Sequence, residues 1–230
     1  MKLIKKFAIC LIFFIVFPNL VFADNFYAGI DLGESKKKTT ESTPANSATH
    51  YYLLNGSSFN VNDRDNLTGL HFGYNHFINN FFIGPELRFI NNSKDTKITA
   101  GRFSENNIYT VKYDDTKTLA LRFGIVENKI NYYLLGGYAQ SNIYTNVNED
   151  GSGSHVGSSK SKHNGIVLGI GVETIVLENI SLGFQYNEIN LKNKNQTIND
   201  NAPGGDYQGP DVVSVNPNIK TLSIRASYLF

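Results

Sequence analysis

Along most of this chain, hydrophobic and polar residues alternate with a period of two. In FYAGIDLG, Phe26, Ala28, Ile30 and Leu32 share one face, and Gly29, Asp31 and Gly33 share the other. The same alternation runs through LTGLHFGYNHFI (67–78), FFIGPELRFI (81–90), TKTLALRFGIV (116–126), GIVLGIGVETIVL (165–177), ISLGFQYNE (180–188) and KTLSIRASYLF (220–230). A period of two is the signature of a half-buried strand. The segment INYYLLGGYAQSNIY (130–144) is also a strand, but its two faces look alike and the sequence does not orient it. No amphipathic helix of three turns competes, so eight strands are predicted.

The connections alternate too. Segments 34–64, 92–107, 148–163 and 193–218 are long and rich in Ser, Asn, Asp, Gly and Lys, whereas those near 78–80, 127–130 and 178–179 are tight turns. Long connections at one end and short ones at the other predict an all-β fold. It is an eight-stranded antiparallel up-and-down transmembrane β-barrel with four long outer loops and three short periplasmic turns.

A soluble barrel around a ligand would turn its apolar face inward, and a membrane barrel turns it outward. Here the polar face is rich in glycine and mixed charge, which suits a narrow interior filled by side chains. Asp31, Glu86, Arg122, Glu173 and Arg225 each stand five or six residues from a short-turn end, with Arg88 just beyond. Aligned antiparallel strands bring them into one interior layer, where both signs neutralise each other as buried charges require. Rings mark the strand ends. Phe77, Phe81, Phe82, Tyr132 and Tyr133 sit beside short turns, and Tyr109, Tyr113, Tyr144 and Tyr186 sit toward the long connections, as interfacial girdles would.

The first residues follow another pattern. MKLIKK is basic, FAICLIFFIVF is apolar, and a small residue, Ala23, closes the stretch. This order predicts a secretory signal peptide at 1–23, with the barrel domain at 24–230. The apolar run is too short to span a bilayer as a helix. The leader contains the only Cys, so the exported part has no disulfide, and removing its three lysines turns the formal charge from +1 to −2. Near neutrality argues against nucleic acid as a partner.

Eight strands, GPELRF (84–89), GIGVE (169–173) before a tight turn and the terminal SIRASYLF together resemble the small bacterial outer-membrane β-barrels of the opacity-protein and OmpA-membrane-domain type. The resemblance covers residues 24–230 and implies a location in the outer membrane of a Gram-negative cell. It also implies that Tyr228 and Phe230 form a C-terminal signal read by the barrel-assembly machinery. Pro85 departs from a fully paired strand, and a local bulge is expected there.

Catalytic chemistry is thin. His50, His71, His76, His155 and His163 show no metal-ligand spacing, and no Ser/His/acid cluster stands at a common height. No catalytic, metal or cofactor-binding residue is assigned, and no cofactor is expected. His71 is read as a hydrogen-bonded interior residue. Lys36, Lys37 and Lys38 are read as a solvated run in the first loop rather than a lipopolysaccharide contact. Eight strands leave no room for a wide channel.

The function expected is that of a surface protein, adhesin-like or antigen-like, with the barrel as anchor and the loops in contact with a host surface or serum factor. Tyr51, Tyr52 and Tyr207 are the candidate loop contacts, and outer-membrane lipid and lipopolysaccharide are the expected surroundings. The alternatives are a lipid-modifying outer-membrane enzyme and a soluble periplasmic ligand-binding barrel.

Overall fold

The computed structural model describes residues 26–42, 58–91, 95–100, 107–149, 155–198 and 211–230. The stretch 1–23 expected to be a leader, and the candidate contacts Tyr51, Tyr52 and Tyr207, lie outside them.

Among the described residues, twelve strands form one antiparallel sheet. They are β1 (Phe26–Ser42), β2 (Ser58–Tyr74), β3 (His76–Ile78), β4 (Phe81–Asn91), β5 (Asp95–Ala100), β6 (Asn107–Tyr113), β7 (Thr116–Glu127), β8 (Ile130–Glu149), β9 (His155–Leu177), β10 (Ile180–Leu191), β11 (Lys194–Ile198) and β12 (Asp211–Leu229). Four long passes are each divided into two strands, so the chain makes eight passes. The ring closes where β1 pairs with β12, with Asp31 opposite Arg225. Closure removes every raw edge at this level.

Three two-residue turns join the passes at one end: Asn79–Asn80, Asn128–Lys129 and Glu178–Asn179. Asn79, Asn128 and Lys129 take positive φ values of 55°, 51° and 68°. Tight hairpin turns demand this region, and asparagine tolerates it well. Phe26 and Phe230 lie at the same end, tied by a backbone hydrogen bond of 3.0 Å.

The segments expected to be long loops are largely strand. Residues 34–42 and 58–66 pair with each other in register, and 142–148 pair with 162–155 with one register shift between Val147 and Asn148. Their outward side chains are polar, so they carry no apolar alternation to read. The backbone ladder alone identifies them.

Two belts divide the wall. Near the short turns the outward face is apolar: Leu32, Leu121, Phe123, Leu168, Phe184 and Ile224 are all exposed. On β12 this belt covers residues 222–230, about 23 Å of height at ~3.3 Å per residue and a tilt near 40°. Such a band matches the apolar girth of a membrane barrel.

Above that belt the same strands invert without changing parity. On β12, Lys220 and Asn218 now face outward, while Ile219, Val215 and Val213 face inward and are buried. On β10, Ile189 and Leu191 turn inward, and they join Val61, Leu67, Ile90, Val111, Ile143 and Ile198 in one apolar core. The upper storey is therefore built like a water-soluble barrel, and it rises about 20 Å beyond the belt.

Strand β8 is oriented by its partners. Tyr132, Leu134 and Tyr138 face out, whereas Tyr133, Leu135 and Ala139 face in. Three rings expected in the girdles are interior instead: Phe82, Tyr113 and Tyr133 are at most 4% exposed. Phe77, Phe81, Tyr132 and Tyr186 are exposed. At Pro85 no bulge forms. The pairing of β4 with β2 stops at Gly73–Glu86 and resumes with β3 at His76–Ile83, in the same register. The ladder skips the position where proline has no N–H to give.

Candidate functional site

The six charged residues expected inside the barrel meet in one chain of contacts. Arg88 Nε lies 2.8 Å from Asp31 Oδ2, and Asp31 Oδ1 lies 3.3 Å from Arg225 Nε. Arg225 Nη2 donates to Glu86 Oε2 at 2.7 Å. Glu86 Oε2 is 3.6 Å from Arg122 Nη1, and Arg122 Nη2 donates to Glu173 Oε1 at 2.8 Å. Three acids and three arginines alternate, so the chain of contacts is electrically neutral. Neutrality matters because all six are buried, and an unpaired buried ion is strongly destabilising.

Neutral side chains complete this lattice. Tyr27 donates to Glu86 at 2.9 Å, and Arg225 donates to the Tyr133 hydroxyl at 2.9 Å and to Gln185. Tyr133 in turn donates to Gln185 at 2.9 Å. The Arg122 guanidinium lies 3.9 Å from the centre of the Tyr133 ring and 5.0 Å from that of Tyr27. Room for these rings comes from glycine: a Cβ on Gly73 would strike Tyr27, and one on Gly171 would strike Tyr133. The sequence carries a signal for these partners, since glycines alternate with large residues on the inward face. Placing Tyr133 in a girdle obscures it.

The structure also assembles a Ser/His/acid contact that has no trace in sequence spacing. His71 Nδ1 lies 3.3 Å from Asp31 Oδ2, and His71 Nε2 lies 2.8 Å from Ser227 Oγ. The three residues stand on β2, β1 and β12, so only the folded ring brings them together. Asp31 is already held by two arginines, and Ser227 is 4% exposed. A hydrolytic serine needs access for its substrate, and Ser227, His71 and Asp31 are all buried.

The upper storey holds a different kind of polar group. Glu41 is fully buried, and neither carboxylate oxygen has a hydrogen-bond partner among the described residues. Burial pushes its carboxyl up to about 7, with the Thr145 hydroxyl acting the other way. Tyr113, on β6, shares a 2.5 Å hydrogen bond with Thr39. Lys37 points inward and pairs with Asp65 at 3.3 Å, so the basic run 36–38 is strand, with Lys36 and Lys38 outward. His163 lies in the wall, bonded to Ser161, the Lys192 carbonyl and Gln196.

A closed ring of eight passes, an apolar exterior and a neutral charged bore define the class. The family model of the outer membrane protein beta-barrel domain matches residues 11–230. The chain belongs to this family. This outer membrane barrel is also similar in fold to two solved structures. One is the outer membrane protease OmpT from Escherichia coli, with 12% identity, 93% of this chain and 99% of that chain covered, and a TM-score of 0.57. The other is the outer membrane protein OprG from Pseudomonas aeruginosa, with 14% identity, 90% and 96% covered, and a TM-score of 0.57. No curated protein matches the sequence. The outer membrane is thus the location of this barrel. The alternative of a soluble periplasmic barrel falls with it, because the belt turns its apolar residues outward.

Tyr228 and Phe230 lie at the foot of the belt, with ring centres 5.1 Å apart. Asn179, in the last short turn, donates to the Leu229 carbonyl between them at 3.1 Å.

Proposed function

We propose that this protein is a surface interaction protein, with the membrane belt as its anchor and the upper storey as a rigid platform for contacts outside the cell. The observation that carries the reading is the inversion of the wall. An anchor alone needs about ten residues per strand, yet β9 has 23. The additional length has its own apolar core, so the described strands continue above the belt on a stable base. Loops on such a scaffold are where recognition resides. In this reading Tyr228 and Phe230 also serve the barrel-assembly machinery.

The test is removal of segments 43–57 and 199–210, each replaced by a short Gly/Ser link. The barrel should still fold, seen as heat-modifiable migration on gels. Binding of intact cells to host cells or serum proteins should be lost. Folded barrels that bind as before would refute the platform.

A further inference from the structure

We propose that Lys36, Lys38 and Lys220, flanked by Arg64, bind the phosphate groups of a phosphorylated glycolipid in the outer leaflet. This surface lies on the outer wall of β1, β2 and β12.

The register places these cations side by side. Lys36 on β1 stands directly opposite Lys220 on β12 and, on its other side, opposite Arg64 on β2. Lys38 follows two residues higher on the same outward face. Directly opposed like charges on a sheet are destabilising, so the row calls for an anion. Two acids answer it in part: Glu34 lies 3.7 Å from Arg64, and Glu188 lies 3.7 Å from Lys220. Lys36 and Lys38 have no acidic partner among the described residues.

Height selects the anion. Leu222 lies directly below Lys220, and Leu32 and Ile224 lie one outward position lower, below Glu34; all three top the apolar belt and are 55–57% exposed. An anion fixed to acyl chains would place its chains along these residues and its phosphates among the lysines. A soluble anion would gain nothing from that apolar step. The amines supply point charges with rotatable donors, which suit phosphate oxygens.

The test uses the full barrel, purified in detergent and titrated with fluorescent lipopolysaccharide, with the same material after phosphatase treatment, and with a soluble sulfated polysaccharide. Wild type should bind the phosphorylated lipid most tightly. Lys36→Gln/Lys38→Gln/Lys220→Gln should lose on the order of tenfold to a hundredfold in affinity, and Lys160→Gln/Lys162→Gln, on β9, should lose little. Equal losses in both variants would overturn the site, as would equal binding of the dephosphorylated lipid. Preference for the soluble polysaccharide would refute a lipid as the ligand. Should the triple variant not fold, Lys36→Gln alone, expected to lose about fivefold, decides the matter by the same comparison.

Discussion

From Leu222 down to the short turns, the wall of this barrel is apolar outside and ionic inside; above it, Ile219, Val215 and Val213 on the same strand are apolar inside, with lysine and asparagine outside. The backbone ladder does not change between the two. What changes is the solvent. In lipid, the outward face must be apolar, and the narrow bore is left to groups that satisfy one another. In water, the ordinary rule of an apolar interior returns. One continuous sheet thus obeys two opposite patterns, and parity alone does not tell which one a segment follows.

The lower storey is the more vulnerable to loss of one partner. Arg225→Leu should destabilise the barrel by about 4 kcal/mol, because Asp31 and Glu86 then lie buried with less compensation. Urea unfolding in lipid vesicles measures this, and a loss under ~1 kcal/mol would show that the lattice contributes little. The upper storey should respond to pH instead. Folded Glu41 keeps its proton up to about 7, whereas the unfolded chain releases it near the ordinary carboxylate value. Stability therefore falls as pH rises between those values and levels off above about 7, by roughly 3 kcal/mol in all. Glu41→Gln should flatten that dependence; a profile with the same slope as wild type would assign it elsewhere.

The two outward faces separate in the same unfolding curves. Ile170→Arg on the belt should cost about 2.5 kcal/mol. Inside the upper storey, Tyr113→Phe should cost about 1 kcal/mol for its hydrogen bond to Thr39, and no change would mean that water replaces the hydroxyl's partner. The smallest effect, under ~0.5 kcal/mol, is expected of Lys162→Leu on the upper outer wall. Similar costs for Ile170→Arg and Lys162→Leu would abolish the boundary drawn between the belts.

The lower storey is legible in the sequence because lipid imposes an apolar residue at every second position and tight turns set a common zero. Counting from those turns locates Glu86, Arg122 and Glu173, and counting from Asn25 and Phe230 locates Asp31 and Arg225. Orientation fails where both faces are apolar, as in NYYLLGG, and there Tyr133, counted among the girdle rings, faces the bore. The upper storey is hidden for another reason. In ESKKKTTES (34–42) neither face is apolar, since its inward residues include Ser35, Lys37, Thr39 and Glu41. Its strand character comes from partners far along the chain. The contact of Asp31, His71 and Ser227 is equally invisible, because it exists only once β1 lies between β2 and β12.

Arg225 belongs to the strand that closes the ring, and it reaches back to Asp31 on β1 and to Glu86 on β4. Until that strand arrives, both acids face a gap and lack one of their guanidinium partners. Completion of the interior and completion of the ring are therefore one event. A barrel missing this strand is a sheet with uncompensated charge along its seam, and that makes a half-built intermediate poorly suited to remain in lipid.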